Sequence, residues 1–446
     1  MSITLVHKRI TQPFLTGLPV VFQERINVPD GSQPLLKPAK YIIYKPPNPH
    51  VMDPEGCRPE TKEWKQASLS MGPTLATETG PRRGDHVSCS NMAIPFVDLD
   101  RIHRPLRADI DRAIAEVIDS GQFIGGPVLA AFEQELAAYL GATHVVGVSS
   151  GTDALLASLM ALGIGPGDDV VTTPFSFFAT ASVISRVGAK PVFADIDPDT
   201  FNVDPDRVRS AIGPHTRAFV PVHLYGRPAE IPPLDIAIIE DAAQSIGASR
   251  LRGTVGCLSF FPTKNLGAFG DGGAVYTDDA DLAEKLKVVR SQGSKPKYHH
   301  AMIGGNFRLD PLQAAILRVK LGHLDSWSQT RRQNAARYRR LFAEAQLPAE
   351  LVVPTDAEGH VYNQFVIRAP RRDSLAIALK EQGIATVVYY PIPFHRQKAY
   401  SGLGYRDGEF PEAERACREV LALPIYPGLT EAQQTMVVGA IARFYK

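Results

Sequence analysis

The alternation of apolar and polar positions changes sharply near residue 92. Before that point helical periodicity is hard to find, and 12 of the chain's 36 prolines fall within residues 1–91. Such spacing favours an extended or weakly structured arm, with one β-like run from Lys40 to Lys45. The apolar pattern that starts at Met92 is typical of the beginning of a domain. We therefore expect either that Met92 is the natural start or that residues 1–91 are a dispensable arm.

Two helices are predicted after that point. Pro105 suits the first turn of a helix, and Ser120 with Gly121 forms a stop signal. The apolar residues that recur on one face of this helix are Ile110, Ile114, Val117 and Ile118. A second helix ends at Gly141, and its predicted buried positions are Leu129, Phe132, Leu136 and Leu140.

Short apolar runs then alternate with helical or loop segments. They lie at Val145 to Val148, Val170 to Val171, Val192 to Ile196, Ala218 to Val222 and Ile236 to Ile239. This rhythm predicts an α/β fold over residues 92–330, with a mostly parallel central sheet flanked by helices. After about residue 330, an arginine-rich helix (Arg331 to Phe342) and a strand (Gln364 to Arg368) predict a smaller C-terminal α+β domain over residues 331–446.

Composition narrows the class of protein. The 446 residues are 44% hydrophobic and 21% charged, which is ordinary globular usage, and the net charge is +1. A balanced charge provides no broad field for binding nucleic acid or an anionic membrane. The four cysteines form no C-x-x-C pair, and neither an apolar run of about 18 residues nor a secretory signal is found. We expect a cytoplasmic protein without a zinc cluster or a disulfide framework.

A candidate phosphate-binding segment directly follows the first predicted strand. Ser149 to Leu155 opens a helix that runs to about Leu162. Free backbone N–H groups, two small hydroxyls, a glycine and the positive helix end all suit a phosphate. The alternative is a serine-threonine helix cap with no ligand.

An acidic residue follows the strand at Ile236 to Ile239. Open parallel sheets bind ligands beyond the carboxyl ends of their strands, so Asp241 lies where a ligand would bind. One interpretation is a salt bridge to a protonated ring nitrogen, and the other is a solvated cap or turn.

Lys264 lies in an unusual setting, because aromatic residues precede it and glycines follow it. Burial there would lower the pKa of its amine and make it nucleophilic, as Schiff-base chemistry requires, although a lone lysine is usually exposed. A phosphate cup, an acid for a ring nitrogen and a lysine for an aldehyde are three separate demands of one cofactor, pyridoxal 5'-phosphate (PLP).

From about residue 93 to 446 the chain resembles the DegT/DnrJ/EryC1/StrS family of sugar aminotransferases, which are fold-type I PLP enzymes. The segments that carry the resemblance are Ser149 to Leu155, Glu240 to Ala248, Ser259 to Gly273, Gly305 to Ala315 and Leu423 to Pro427. The resemblance implies transfer of an amino group from an amino acid, with glutamate as the donor, to a nucleotide-linked keto sugar at C3.

The resemblance also implies a role for each site residue. Lys264 would bind PLP covalently and move protons, and Asp241 would keep the ring nitrogen protonated. Gln244 would bind the ring hydroxyl, and Phe177 would stack on the ring. The residues that would bind the phosphate are Gly151, Thr152, Ser259 and, from the other subunit of a homodimer, Asn306.

Substrate contacts are implied around Arg308 and the segment that contains Tyr389, Tyr390 and His395. Arg308 is expected to bind the diphosphate, and a structural role is the alternative for each of these residues. The family often has histidine at the positions of Tyr389 and Asn363. His299 and His300 lack a third ligand, so we expect no metal.

Two connections are shorter than in relatives. Residues 225–235 contain Pro228, Pro232 and Pro233, so part of a crossover helix is missing. The loop between Gly247 and Ser259 is also trimmed. We expect cofactor binding to survive with reduced stability.

Two other functions remain open. A PLP-dependent sugar dehydratase of this fold would have histidine in place of Lys264. A non-catalytic regulator on the same scaffold would keep its function without Lys264.

Overall fold

The structure is a computed structural model, and it describes residues 93–446. The strand predicted at Lys40 to Lys45 and the predicted start at Met92 lie outside the described residues.

Twelve helices are found in residues 93–446. They are α1 (Leu99–His103), α2 (Arg107–Ser120), α3 (Gly126–Leu140), α4 (Gly151–Ala161), α5 (Ala179–Arg186), α6 (Pro205–Ala211), α7 (Ala280–Val289), α8 (Pro311–Leu321), α9 (Leu324–Glu344), α10 (Arg372–Glu381), α11 (Pro411–Glu419) and α12 (Glu431–Tyr445).

The first two predicted helices are confirmed as α2 and α3. A glycine in the left-handed conformation follows each of them, Gly121 after α2 and Gly141 after α3, because glycine adopts a positive φ without steric cost. The four apolar residues predicted to be buried in α3 are all buried. In α2 one prediction is wrong, since Ile118 is 56% exposed while Val117 is buried.

A seven-stranded sheet forms the centre of the larger part, in the order β1-β7-β6-β5-β4-β2-β3. Its strands are β1 (His144–Val148), β2 (Asp169–Thr172), β3 (Lys190–Phe193), β4 (Thr216–Val220), β5 (Ala237–Asp241), β6 (Val255–Ser259) and β7 (Gly273–Thr277). Only β7 is antiparallel to its neighbours, and the other paired strands are parallel. The mostly parallel sheet is therefore confirmed.

Helices cover the sheet and form its core. On one side α4, α5 and α7 pack apolar side chains against the strands, and α4 buries seven of its eleven residues. A second cluster joins α3 and α8 to β1, β6 and β7. Such burial of both sheet faces is what a parallel α/β sheet requires.

No helix connects β4 to β5 in this structure, as the three prolines predicted. The chain makes one 3₁₀ turn at Leu224–Gly226 and then runs irregularly to β5. The short crossover is bonded to the short loop before β6, because the Arg252 guanidinium donates to the carbonyl of Ala229 at 2.6 Å. The two shortened connections therefore support each other.

The C-terminal part is built on a two-stranded antiparallel sheet of β8 (Phe365–Arg368) and β9 (Val420–Leu423). Helices α9, α10 and α12 enclose it in a separate apolar cluster. The predicted arginine-rich helix is longer than expected, so the predicted domain boundary at residue 330 falls inside α9. Asp195, after β3, accepts hydrogen bonds from the amides of Glu412 and Ala413 at the start of α11, both at 3.0 Å.

Candidate active site

Several chain segments that carry predicted site residues meet at one edge of the large sheet. Asp241 is the last residue of β5, and Ser259 is the last residue of β6. The end of β1 leads into α4, and the antiparallel β7 begins at the same edge with Gly273. The carboxyl ends of parallel strands and a helix N-terminus therefore converge, as ligand sites in open α/β sheets require.

Gly151 and Ser259 form a close-fitting cradle below the first turn of α4. A Cβ atom on Gly151 would lie 2.7 Å from the Cβ of Ser259, so only glycine fits there without displacement. Ser150 caps α4 by accepting the amide of Asp153 at 3.0 Å, and Thr152 lies in the first turn. The positive end of α4 and the hydroxyl of Ser259 thus border a space suited to a phosphate.

Asp241 is buried at the end of β5 and is 5% exposed. Burial raises its pKa, while the Thr180 hydroxyl, which donates at 2.8 Å, and the amide of Ala243 at 3.2 Å oppose that rise. The nearby Lys264 also favours the ionised carboxyl. These donors supply part of the solvation that a buried carboxylate loses.

Lys264 lies in a tight loop after β6. Its amide donates to the carbonyl of Phe261 at 2.8 Å, and the amide of Ala268 donates to Phe260 at 2.7 Å, which closes the loop. The side chain is partly exposed along its length, but its amino group is buried deeply enough to lower its pKa to about 8. Asp241 opposes this shift, so the amine and the carboxyl act on each other electrostatically.

An aromatic and amide cluster lies beside Asp241. The Gln244 side chain accepts the amide of Tyr225 at 2.6 Å and donates to the Tyr390 hydroxyl at 3.2 Å. The Tyr390 ring lies 6.4 Å from that of Phe177, between ring centroids, and burial together with the nearby Tyr389 and Asp241 raises the pKa of its hydroxyl. Gln244, Tyr390 and Phe177 are thus brought together next to the buried acid, with Phe177 59% exposed.

Two contributors were not predicted from the sequence, namely Thr180 and Tyr225. Thr180 is the second residue of α5, and its hydroxyl oxygen lies 3.1 Å from that of Ser176. Its position three residues after Phe177 was the available signal in the sequence. Tyr225 adopts φ = 59° and is buried, and its hydroxyl donates to the carbonyl of Tyr389. A tyrosine in a left-handed conformation is uncommon and gives no sequence pattern.

Asn306 and Arg308 lie on a strand-like segment beside β1. The intervening Phe307 accepts the amide of Ser149 at 3.0 Å through its carbonyl, so this segment borders the start of the phosphate cradle. Asn306 is exposed, and the Nε of Arg308 is buried without a hydrogen-bond partner in the described part of the chain. An arginine donor without a partner at this position is available to an anionic ligand.

His395 is not brought to this group. Its Nε2 lies 3.1 Å from the Glu414 carboxylate, and its ring packs against Phe410 with 4.8 Å between ring centroids. The side chain is fully buried by these contacts. The substrate role predicted for His395 therefore rests on the resemblance alone, since the contacts found here are structural.

The residues present fit three parts of PLP, which are its phosphate, its ring nitrogen and its aldehyde. The cradle at Gly151 and Ser259 has donors for a phosphate, namely the first turn of α4 and the hydroxyl of Ser259, and a glycine where a side chain would crowd Ser259. Asp241 is a buried carboxylate for a ring nitrogen, and Lys264 supplies an amine of lowered pKa nearby. Together these are the groups with which a protein orients and tunes this cofactor.

Comparisons with known proteins agree with this chemistry. The model of the DegT/DnrJ/EryC1/StrS aminotransferase family matches residues 105–442. A pleiotropic regulatory protein of Geobacillus stearothermophilus is 50% identical over 371 residues, covering 80% of this chain and 99% of the relative. The dTDP-3-amino-3,4,6-trideoxy-alpha-D-glucose transaminase of Streptomyces venezuelae is 45% identical over 363 residues, covering 78% of this chain and 95% of the relative.

The solved structures agree as well. The crystal structure of DesV from S. venezuelae, in complex with a ketimine intermediate, has a TM-score of 0.76 at 43% identity and covers 79% of this chain and 99% of its own. The family match contains the cradle, Asp241, Lys264 and the nine strands found in residues 93–446. This chain belongs to the DegT/DnrJ/EryC1/StrS aminotransferase family.

Proposed function

We propose that this protein uses PLP to move an amino group from an amino acid, with glutamate as the donor, to a nucleotide-linked keto sugar at C3. The observation that carries the proposal is the grouping of Lys264 and Asp241, which act on each other electrostatically beside the Gly151 and Ser259 cradle. When bound, PLP would accept electrons from a carbon that loses a proton.

Lys264 is the proposed proton carrier. With a pKa lowered to about 8, its side chain holds a larger share of neutral amine near neutral pH than an exposed lysine does. A neutral amine can attack an aldehyde and can also take up a proton from a substrate carbon. Its closed loop fixes the direction from which the amine approaches.

Asp241 and Gln244 are the proposed orienting groups. The carboxylate of Asp241 would hold a proton on a ring nitrogen, and Thr180 fixes its orientation through one oxygen atom. Gln244 is held by the amide of Tyr225, so its donor side faces Tyr390 and the space beside Asp241. Fixed dipoles of this kind need no rearrangement during the reaction.

The substrate part of the proposal is supported by the relatives and by Arg308. The S. venezuelae relative bears the name of a transaminase for a dTDP-linked 3-amino sugar, which supports a nucleotide sugar and amination at C3. The Nε of Arg308, which has no hydrogen-bond partner among residues 93–446, suits a diphosphate. Tyr389 and Tyr390 would line the sugar side of the pocket.

A second candidate function is regulation, because the relative with 50% identity is named a pleiotropic regulatory protein. The dehydratase alternative is disfavoured, since lysine occupies position 264. Replacement of Lys264 by alanine separates the two remaining functions. A regulator would keep its effect, whereas an aminotransferase would lose turnover.

The test has two parts. Borohydride reduction of the holoprotein followed by peptide mapping should place the cofactor on Lys264, with no label in Lys264→Ala and full label in Lys380→Met, an exposed lysine on α10. Incubation with glutamate and a panel of dTDP- and UDP-linked keto sugars should then identify the sugar that gains nitrogen. The sugar assay uses unreduced holoprotein from the same preparation, because reduction fixes the cofactor on the protein and abolishes turnover. Label on another lysine, or no aminated sugar from this unreduced holoprotein, contradicts the proposal.

We further propose a homodimer in which Asn306 of one subunit reaches the phosphate of the other. The exposure of Asn306 and of Phe177 in the single chain supports this arrangement.

A further inference from the structure

A small cavity lies behind the Lys264 loop. It is bordered by that loop, by α1 and by the side chains of Lys320 on α8 and Arg331 on α9. Its lining contains no aspartate or glutamate, and it has room for a single particle of about the size of a water molecule. The cavity is therefore small and bordered by three cationic residues, Lys264, Lys320 and Arg331.

Lys320 is a buried cation without an acidic partner among residues 93–446. It is 2% exposed, and its ammonium group donates to the carbonyl of Gly267 and to Nε2 of His103 at 3.1 Å. The ring of Phe269 lies 5.5 Å from Nζ, which provides a modest cation–π contact. An ammonium group has three N–H donors, so one of them has no described partner.

Arg331 is the second buried cation at this cavity, also 2% exposed. One end of its guanidinium donates to the carbonyls of Tyr362 at 3.1 Å and Ile425 at 2.8 Å. Its Nε has no hydrogen-bond partner in the described part of the chain. Within residues 93–446 its hydrogen bonds all go to backbone carbonyls and none to a carboxylate, so this guanidinium also lacks charge compensation there.

We propose that the cavity binds a small monovalent anion, with chloride as the physiological example, held by the unused N–H groups of Lys320 and Arg331. Two buried positive charges without a counter-charge are costly, and an anion between them removes most of that cost. The space is too small for a phosphate or a carboxylate, and a monatomic ion is the kind of anion that comes nearest to its size.

The protonation states agree with this assignment. Burial lowers the pKa of Lys320 to about 8 and that of Arg331 to about 10, so both groups are mostly cationic at neutral pH. Burial and the charge of Lys320 lower the pKa of His103 to about 4, so this imidazole is neutral and accepts from Lys320. Asp100, which acts on His103, is ion-paired with Arg104 at the surface.

The direct test is bromide, which replaces chloride and scatters anomalously. Crystals of the full-length holoprotein grown with sodium bromide should show an anomalous peak between Lys320 and Arg331. A water-like peak with no anomalous signal at high bromide concentration overturns the proposal. This readout does not depend on catalysis, so it is independent of the proposed function.

Thermal unfolding gives a second test. The melting temperature should rise by about 2 °C or more between low and high chloride, compared with gluconate at equal ionic strength. Lys320→Met should lose at least half of the chloride-dependent rise, while Lys380→Met on the surface should keep it. An equal rise in all three proteins shows a general salt effect and contradicts the site.

Discussion

At the scale of single residues, the site is a balance between burial and compensation. Burial moves the pKa of Asp241 upward and that of Lys264 downward, so each group taken alone would lose its charge. Each also lies close enough to oppose the other's shift. Thr180 and the amide of Ala243 add neutral donors on the acid side. The charge on Asp241 therefore depends on a few identifiable contacts.

The Thr180 hydroxyl is the side-chain hydrogen bond among these contacts, so a substitution can remove it. It donates to the carboxylate and so lowers the pKa of Asp241, which means that Thr180→Val should raise that pKa. A hydrogen bond to a charged group corresponds to about 1–2 pKa units, and the acid limb of the kcat/KM profile should move to higher pH by a similar amount. Thr180→Ser keeps the hydroxyl and should keep the profile. If the acid limb does not move in Thr180→Val, then Asp241 is not the group whose protonation lowers kcat/KM at low pH.

The cradle makes a different prediction at residue scale. In Gly151→Ala the new methyl group would lie 2.7 Å from the Cβ of Ser259, so the start of α4 must move away from β6. Such overpacking costs about 1–3 kcal/mol, and PLP affinity should fall about tenfold or more, measured by fluorescence titration of the apoprotein. Gly213→Ala is the matched control, because nothing lies within 4 Å of its added Cβ. Equal affinity in both variants would show that the phosphate binds elsewhere.

At the scale of elements, the connection from β4 to β5, which contains no α-helix, is held by a ring of buried hydrogen bonds. Nδ1 of His223, after β4, accepts the amide of Ala229 at 3.0 Å, and its Nε2 lies 2.8 Å from Glu240 on β5. Glu240 also accepts the amides of Arg252 at 2.6 Å and Gly253 at 2.5 Å. Because Glu240 precedes Asp241, the same ring that joins the short connections also fixes the strand end that carries Asp241, the residue proposed to bind the ring nitrogen.

Glu240→Gln tests this ring. Burial alone would raise the pKa of Glu240, but His223 and the two amides outweigh it, so the pKa lies below its usual value of 4.5. A lowered pKa means that the carboxylate stabilises the fold above about pH 4.5 and that this contribution is lost as the pH falls further. The variant should therefore lose about 3 kcal/mol of unfolding free energy near pH 7, with a smaller difference in acid, measured by urea unfolding.

Glu230→Gln is the control for that experiment, because Glu230 lies in the same short crossover but is exposed. It should change the unfolding free energy by less than about 0.5 kcal/mol. A uniform loss in Glu240→Gln at every pH would contradict the role assigned to the charge.

The sequence predicts a helix or strand of this fold more surely when its pattern of apolar residues is long. The apolar faces of α2 and α3 span several turns, and both helices were predicted with their glycine ends. Strands β6 and β7 were missed, because each has five residues interrupted or preceded by glycine next to the Lys264 loop. The prolines between β4 and β5 correctly predicted that no regular helix lies there, since proline excludes a regular helix interior whatever the tertiary context.

The candidate site was predicted where the chemistry is local and missed where it comes from packing. Asp241 and Lys264 stand out by their position after a strand and among aromatic residues. Thr180 and Tyr225 have common residue types and act only because distant segments fold against them. His395 was expected to contact the substrate because it lies in a family motif, but its side chain is buried and lies against Glu414.

At the scale of the whole molecule, aromatic side chains near the site remain exposed in the single chain. Phe177, Phe261 and Phe269 are 59%, 51% and 43% exposed. Apolar groups gathered near a functional site mark a surface for another protein, and a second copy is the partner that the proposed role of Asn306 requires. The proposed dimer would cover these side chains and, through Asn306 of the other subunit, would also complete the phosphate site.

Mixed dimers test whether the site is shared. Lys264→Ala and Asn306→Ala are each expected to be inactive, but a mixed dimer would have one site with both native residues and one with neither. After subunit exchange of equal amounts, half of the dimers are mixed, so activity should recover to about a quarter of the native value. Lys264→Ala with Asp241→Ala is the control, because both residues belong to the same chain's site and no native site can form. If Asn306 serves its own subunit, the first pair will recover no more activity than the control.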